Sequence, residues 1–237
     1  MSNQYFQFKQ FRIEQDKCAM KVSTDACIQG AWTPVYEDVK HVLDIGAGTG
    51  LLSLMLAQRN SRLQIDAIEI DDEAAKQASE NVEQSLWADR VHIVNADVRA
   101  YVFPHRYDMI ISNPPFFQNS LLGDAYGRNL ARHTISLSHT DLLRLLEKWM
   151  SPSGYACLML PYAEQQLWEQ LLTDNGWQVF KRLLVFPGEH ASVSRVISLC
   201  SKDKRQTMQD EQLIIRSDVD HYTPEFTDLL QSFYLQL

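Results

Sequence analysis

From residue 41 onward, short apolar runs alternate with longer stretches in which apolar residues recur every three or four positions. The runs predict strands at 41–45, 64–70, 91–95, 107–112 and 155–160, and the intervening periodicity predicts helices at 50–58, 72–86, 141–150 and 163–175. Strands separated by helices require right-handed crossovers, hence an α/β fold with a mostly parallel sheet and helices on both faces. Two more β-rich runs, 177–186 and 195–201, have no helix between them and predict an antiparallel hairpin at the sheet edge, making seven strands. Upstream, Phe6, Phe8, Phe11 and Ile13 alternate with polar residues as in a half-buried strand or hairpin. A short helix fits 25–32, before Pro34.

With 237 residues the chain suits one large domain, read as a single compact unit over 35–237 preceded by an extension, 1–34. The 45% hydrophobic and 22% charged composition excludes a disordered or repetitive chain. Cys18, Cys27, Cys157 and Cys200 lack any Cys-x-x-Cys spacing, which argues for buried reduced thiols and against a zinc site or disulfide framework. The opening lacks a signal-peptide core, and the longest apolar run, about the seven residues from Leu51 to Ala57, falls far short of the ~20 needed to cross a bilayer. A cytoplasmic protein is expected, with no metal, no membrane association and no obligate protein partner. The stretch from Asn113 to about Thr140 is long for a connection and makes a candidate substrate loop.

The strongest local signal is Asp44-Ile45-Gly46-Ala47-Gly48-Thr49-Gly50, after an apolar strand and before an apolar helix. Small residues there let backbone approach a ligand at a strand's carboxyl end. Counted from Gly46, the third glycine of a dinucleotide fingerprint would fall on Leu51, so that pattern fails. The D-x-G-x-G-x-G turn instead resembles the first motif of class I methyltransferases that use S-adenosylmethionine. The resemblance implies a Rossmann-like fold and a backbone cradle for the cofactor's methionine part, its carboxylate near a helix N-terminus. Glu69 ends the next strand, where a carboxylate accepts ribose hydroxyl protons, and Asp97 follows the third, resembling the family's contact to the adenine amino group. Asp71, Asp72 and Glu73 read as N-terminal charges on the following helix.

Ser112-Asn113-Pro114-Pro115-Phe116 follows the fourth strand. Two prolines fix two φ angles, remove two donors and push Asn113 out of the helical region, making a rigid elbow. It resembles the N-P-P-[FYW] motif of enzymes that methylate planar amino nitrogens. Such an amine is a poor nucleophile because its lone pair is delocalised into the ring. If the Asn113 side-chain oxygen and the Pro114 carbonyl each accept an amino proton, charge builds favourably on nitrogen as it attacks. Phe116 would stack on the base, worth about 1–3 kcal/mol. Asn113, Pro114, Pro115 and Phe116 are therefore the candidate catalytic residues.

The elbow alone leaves adenine N6, cytosine N4, guanine N2 and glutamine side chains open as substrates. Phe8-Lys9-Gln10-Phe11, Cys18-Ala19-Met20-Lys21-Val22, Thr24-Asp25, Gly30-Ala31-Trp32, Ala57-Gln58-Arg59, Ile110 to Pro115 and Phe233-Tyr234-Leu235 closely resemble bacterial tRNA(Val) adenosine-37 N6-methyltransferases across nearly the whole chain. Phe116 departs from the Tyr common in that family, and both rings stack. The resemblance implies transfer from S-adenosylmethionine to adenosine 37 of tRNA, releasing S-adenosyl-L-homocysteine. It places Asp44, Gly46, Ala47, Gly48, Gly50, Glu69, Ile70, Asp97 and Asn113 around the cofactor. Lys21 and Thr24 fall in the extension, and the resemblance implies that this segment folds over the cofactor pocket. Arg128, Arg132 and His133 are assigned to the RNA backbone.

A net charge of -8 argues against a general nucleic-acid coat. Residues 35–112 hold 13 acidic and 7 basic groups and 206–237 hold 6 and 1, so the deficit lies in the cofactor half and the C-terminal stretch. A local basic face on the remainder suits one folded RNA. Three alternatives stand beside this reading. A glutamine methyltransferase usually has a separate N-terminal helical domain, for which about 40 residues before the glycine turn leave little room. A guanine N2-methyltransferase commonly has a duplicated domain. A non-catalytic RNA scaffold has no use for Asn113 beside two prolines.

Overall fold

The computed structural model describes residues 3–114, 137–203, 207–218 and 221–237. Pro115, Phe116, Arg128, Arg132 and His133 lie outside the described residues. β1 (Tyr5–Gln7) and β2 (Arg12–Glu14) form an antiparallel pair. α1 (Thr24–Trp32) follows, then β3 (His41–Ile45), α2 (Leu51–Arg59), β4 (Gln64–Glu69), α3 (Asp72–Glu83), β5 (Val91–Asn95) and β6 (Tyr107–Ser112). After the undescribed segment come α4 (His139–Trp149), β7 (Met150–Pro161), α5 (Tyr162–Asp174), β8 (Gln178–Gly188), β9 (Arg195–Ser201), β10 (Gln209–Arg216) and α6 (Pro224–Leu230).

The main sheet runs β10-β8-β9-β7-β6-β3-β4-β5, and among its described strands only β9 is antiparallel to its neighbours. Alternation along the strands sends side chains to two cores. Val42, Met109 and Ile111 face α1, α2, α6 and the N-terminal Phe8, Phe11 and Ile13. Leu43, Ile45 and Ile110 face Leu142, Leu146 and Trp168 of α4 and α5. Trp149, Trp168 and Trp177 are buried packing residues. All four cysteines are free and buried, and burial pushes the Cys27 thiol up to about 12 and that of Cys157 up to about 11, leaving both thiols protonated.

The α/β class and helices on both faces agree with the sequence. The strand count does not: the main sheet has eight described strands, and the β8–β9 hairpin is not at its edge, because β10 pairs in parallel outside β8. β10 begins with Gln209-Asp210-Glu211-Gln212, all exposed, a polar composition that suits an edge strand but hides its periodicity. Ion pairs hold it. Arg182 grips Asp210 with two bonds of 2.8 Å, and Lys181 lies 2.8 Å from Glu211, which also accepts the Trp32 indole N–H. Part of the acidic C-terminal stretch is thus paired across strands rather than solvated.

Candidate active site

The strand order reverses between β3 and β6, where crossovers leave in opposite directions and ligands of open α/β sheets bind. Register places the carboxyl ends of four strands side by side: Ile45 opposite Ser112 and Ile68, and Glu69 opposite Asn95. The glycine turn, Glu69, Asp97 and Asn113 all leave from this one edge.

Within the turn, Gly46, Gly48 and Gly50 have φ of 75°, 55° and 80°, a left-handed region that L side chains rarely adopt. A Cβ built on Gly46 or Gly48 meets nothing within 4 Å among the described residues, so both positions border space that a side chain would fill. The Gly46 and Ala47 N–H groups donate to the Ile68 carbonyl, and the Gly48 N–H donates to Glu69 Oε2 at 2.8 Å. Glu69 Oε1 accepts the Asp71 N–H at 3.0 Å. A carboxylate offers about four acceptor positions, so Glu69 bridges turn and strand with capacity left for hydroxyl donors. Ile70, half-buried, follows it at the bend.

Asp44 is fully buried at the end of β3. Its Oδ2 accepts the Ser53 hydroxyl at 2.7 Å, while Oδ1 has no hydrogen-bond partner among the described residues. Burial pushes this carboxyl up to about 6, with the Ser53 hydrogen bond opposing and Glu69 adding to the rise. Gly50, the N-cap of α2, makes no side-chain cap bond. An unpaired buried carboxylate oxygen and an uncapped helix start, on either side of an open glycine turn, fit a ligand carrying both an ammonium and a carboxylate. Asp97 is gripped by Arg99 Nε and Nη2 at 2.9 and 2.6 Å, which holds its carboxyl below the usual range.

At the end of β6, Ser112 is buried and its hydroxyl donates to the Ile45 carbonyl at 2.7 Å, joining the elbow strand to the residue before Gly46. Asn113 Oδ1 is buried without a hydrogen-bond partner among the described residues, and Pro114 is buried beside it. A preformed acceptor at this edge suits a donor brought by a substrate.

Of the two extension residues expected near the cofactor, Lys21 Nζ donates to the Asn3 carbonyl at 3.2 Å and Thr24 is the first residue of α1. Other parts of the extension reach the site. Cys18 lies close enough to Glu69 and Asp71 for their charges to add to the burial that pushes its thiol up to about 12. His139 is the first residue of α4, with Nε2 3.3 Å from Glu164, and His190 is exposed in the turn after β8.

The methyltransferase small domain family matches residues 33–138. The tRNA1(Val) (adenine(37)-N6)-methyltransferase of Dyadobacter fermentans is 43% identical over 99% of this chain and 98% of its own length. Its namesake from Tolumonas auensis is 44% identical over 100% and 99%. The chain belongs to the tRNA1(Val) (adenine(37)-N6)-methyltransferase family. A predicted O-methyltransferase from Agrobacterium tumefaciens, 18% identical, superposes with a TM-score of 0.67 over 88% of this chain and 96% of that one, a likeness of fold alone.

Sequence reasoning passed over buried polar side chains that hold this family member's site together. Asn81 of α3, 1% exposed, accepts the Glu14 N–H and donates to the carbonyls of Glu14 and Thr49, tying the extension to the glycine turn. Gln77, one turn earlier, accepts the Lys17 N–H. Gln29 of α1 donates to the Ser112 carbonyl. The available signal was an amide among small apolar residues on the inner face of a helix, at i and i+4 for Gln77 and Asn81.

Proposed function

We propose that this protein transfers the methyl group of S-adenosylmethionine to the N6 amino group of adenosine 37 in tRNA1(Val). Asn113 carries the reading: a buried side-chain oxygen with no partner among the described residues, at the end of β6 beside the open glycine turn. S-adenosylmethionine supplies an electrophilic methyl on its sulfonium. Gly46, Ala47, Gly48 and Gly50 form the cradle, Asp44 offers negative charge to the ammonium, Glu69 and Ile70 border the ribose and Asp97 the adenine. Asn113 Oδ1 and the Pro114 carbonyl accept the two amino protons, so that nitrogen lone-pair density turns toward the methyl. Holding both reactants in line provides much of the rate. As the methyl passes to nitrogen its bond to sulfur would break, leaving a neutral thioether, and the cationic nitrogen held by Asn113 and Pro114 would release one proton to solvent.

Phe116 is assigned to stacking on the base, turned out of the anticodon loop at less cost than from a duplex. Arg128, Arg132 and His133 are assigned to the RNA backbone, and a tRNA substrate implies action in the cytoplasm. The extension, 1–34, is assigned as a cover for the pocket of the 35–237 domain, supported by Asn81 bridging Glu14 and Thr49 and by Gln77 accepting the Lys17 N–H. Lys21 and Thr24 belong to this cover. Incubation with labelled cofactor and unmodified tRNA, followed by nucleoside mapping, tests the reading. N6-methyladenosine at position 37 is expected; N2-methylguanosine, or label in protein alone, overturns it.

A further inference from the structure

Gln29 sits wholly buried in α1, 83 residues before the end of β6, yet its amide reaches that end. Nε2 donates to the Ser112 carbonyl at 3.0 Å and to the Cys157 carbonyl at 3.4 Å, on the adjacent strand β7. Two carbonyl acceptors on one side fix which end of the amide faces them, since only the NH2 donates. The helix behind it is locked. The Gln29 carbonyl accepts the Thr33 N–H at 3.0 Å and the Thr33 hydroxyl at 2.6 Å, and that hydroxyl lies 3.0 Å from Cys157 Sγ.

The other end of the amide is a poor bargain for stability. Gln29 Oε1 is buried with no hydrogen-bond partner among the described residues, a penalty that methionine of similar length would avoid while filling the same space. What methionine lacks is the donor to Ser112. The Ser112 carbonyl belongs to the planar peptide leading into Asn113, so its direction sets the start of the elbow. From the same residue, the Ser112 hydroxyl is anchored on the Ile45 carbonyl. The peptide before Asn113 is thus held from two directions, by β3 and by the extension's helix.

We propose that Gln29 is a positioning residue for methyl transfer: through the Ser112 carbonyl it aims the Asn113-Pro114 acceptors at the amino group. The role rests on the functional reading above. Misplacement of reacting groups by about 1 Å costs on the order of 100-fold in rate. Gln29→Met is therefore expected to lower kcat by about 10- to 100-fold, with cofactor Kd and the KM for tRNA within about twofold of wild type. Gln29→Glu adds a readout that packing would not move. Ionised, it faces two carbonyl oxygens with no donor; protonated, it regains one. Its kcat relative to wild type should rise as pH falls from 8 to 6.

Ile28→Val trims the same helix without touching Ser112 and should lower the melting temperature while leaving kcat per cofactor-binding site unchanged. Wild-type kcat in Gln29→Met, an equal kcat loss in Ile28→Val, or a flat pH ratio in Gln29→Glu would each overturn the role. Absence of transfer by the wild-type protein would instead reject the functional reading, and this role with it.

Discussion

The glycine turn and the Asn113 elbow leave neighbouring strands at the same sheet edge, yet they are stabilised over different distances along the chain. Gly46, Gly48 and Gly50 take left-handed φ values within five residues, and the carboxylates beside them, Asp44 and Glu69, bond to Ser53 and to Gly48 and Asp71. The elbow depends on partners far away: Ser112 binds Ile45, 67 residues earlier, and Gln29, 83 residues earlier. A ligand cradle can be built from backbone conformation, which a short motif specifies. Aiming two acceptors at a reacting nitrogen requires a packed frame, and that frame comes from several elements at once.

Separating the two regions by mutation should separate binding from turnover. Asn113→Ala removes an acceptor at the elbow and should lower kcat by at least about 10²- to 10³-fold. Cofactor affinity, read by calorimetric titration, should change little; wild-type turnover would break the proposed mechanism, and a large loss of cofactor affinity would break the division between the regions.

Asp44 provides the next largest effect and a pH signature. Its carboxyl is about 6 in the folded protein against an ordinary 3.8, so the folded state binds this proton more tightly than the unfolded chain does. Stability from this group is fully present below about pH 4 and is lost as pH rises through about 6. The gap of about two pH units, at about 1.4 kcal/mol each, amounts to roughly 3 kcal/mol. Asp44→Asn should melt higher than wild type at pH 7.5, with the advantage vanishing near pH 4, and should bind cofactor more weakly. Parallel melting curves across pH would show that this charge carries no burial penalty.

Gly48→Ala tests the cradle more gently. A Cβ at φ 55° costs about 1–2 kcal/mol in strain and projects into the open space beside the turn. Cofactor Kd should rise about tenfold or more while kcat at saturation stays near wild type. The smallest effect is expected far from both regions: Arg182→Met breaks the grip on Asp210 and should cost about 1 kcal/mol of stability, seen in chemical denaturation, with no change in turnover.

Local signals were legible wherever a residue's role is met by its sequence neighbours. The strands at His41–Ile45, Val91–Asn95, Tyr107–Ser112 and Arg195–Ser201 fall where the apolar runs predict them. Asp71 caps α3 through the Ala74 N–H, and Asp72 and Glu73 occupy its first turn, as their spacing predicts. β10 has no apolar run to mark it, because its first four residues are polar and exposed and the partners of Asp210 and Glu211, Arg182 and Lys181, lie on another strand. Gln29, Gln77 and Asn81 escaped for a related reason: an amide on the apolar face of a helix marks itself as buried, but nothing in its sequence neighbours says what it will bond.

By itself, the sequence determined the alternation of strands and helices, the left-handed glycine turn, the stiff Asn113-Pro114 elbow and, through resemblance along the chain, the chemistry to expect. These follow from steric limits and hydrophobic periodicity, both of which act over a few residues. Tertiary structure alone decided that β10 completes the sheet beyond β8, that Asn81 ties the N-terminal strands to Thr49, and that Gln29 meets the Ser112 carbonyl. Each depends on which buried polar groups come within about 3 Å of one another, and only the packed sheet and helices settle that distance.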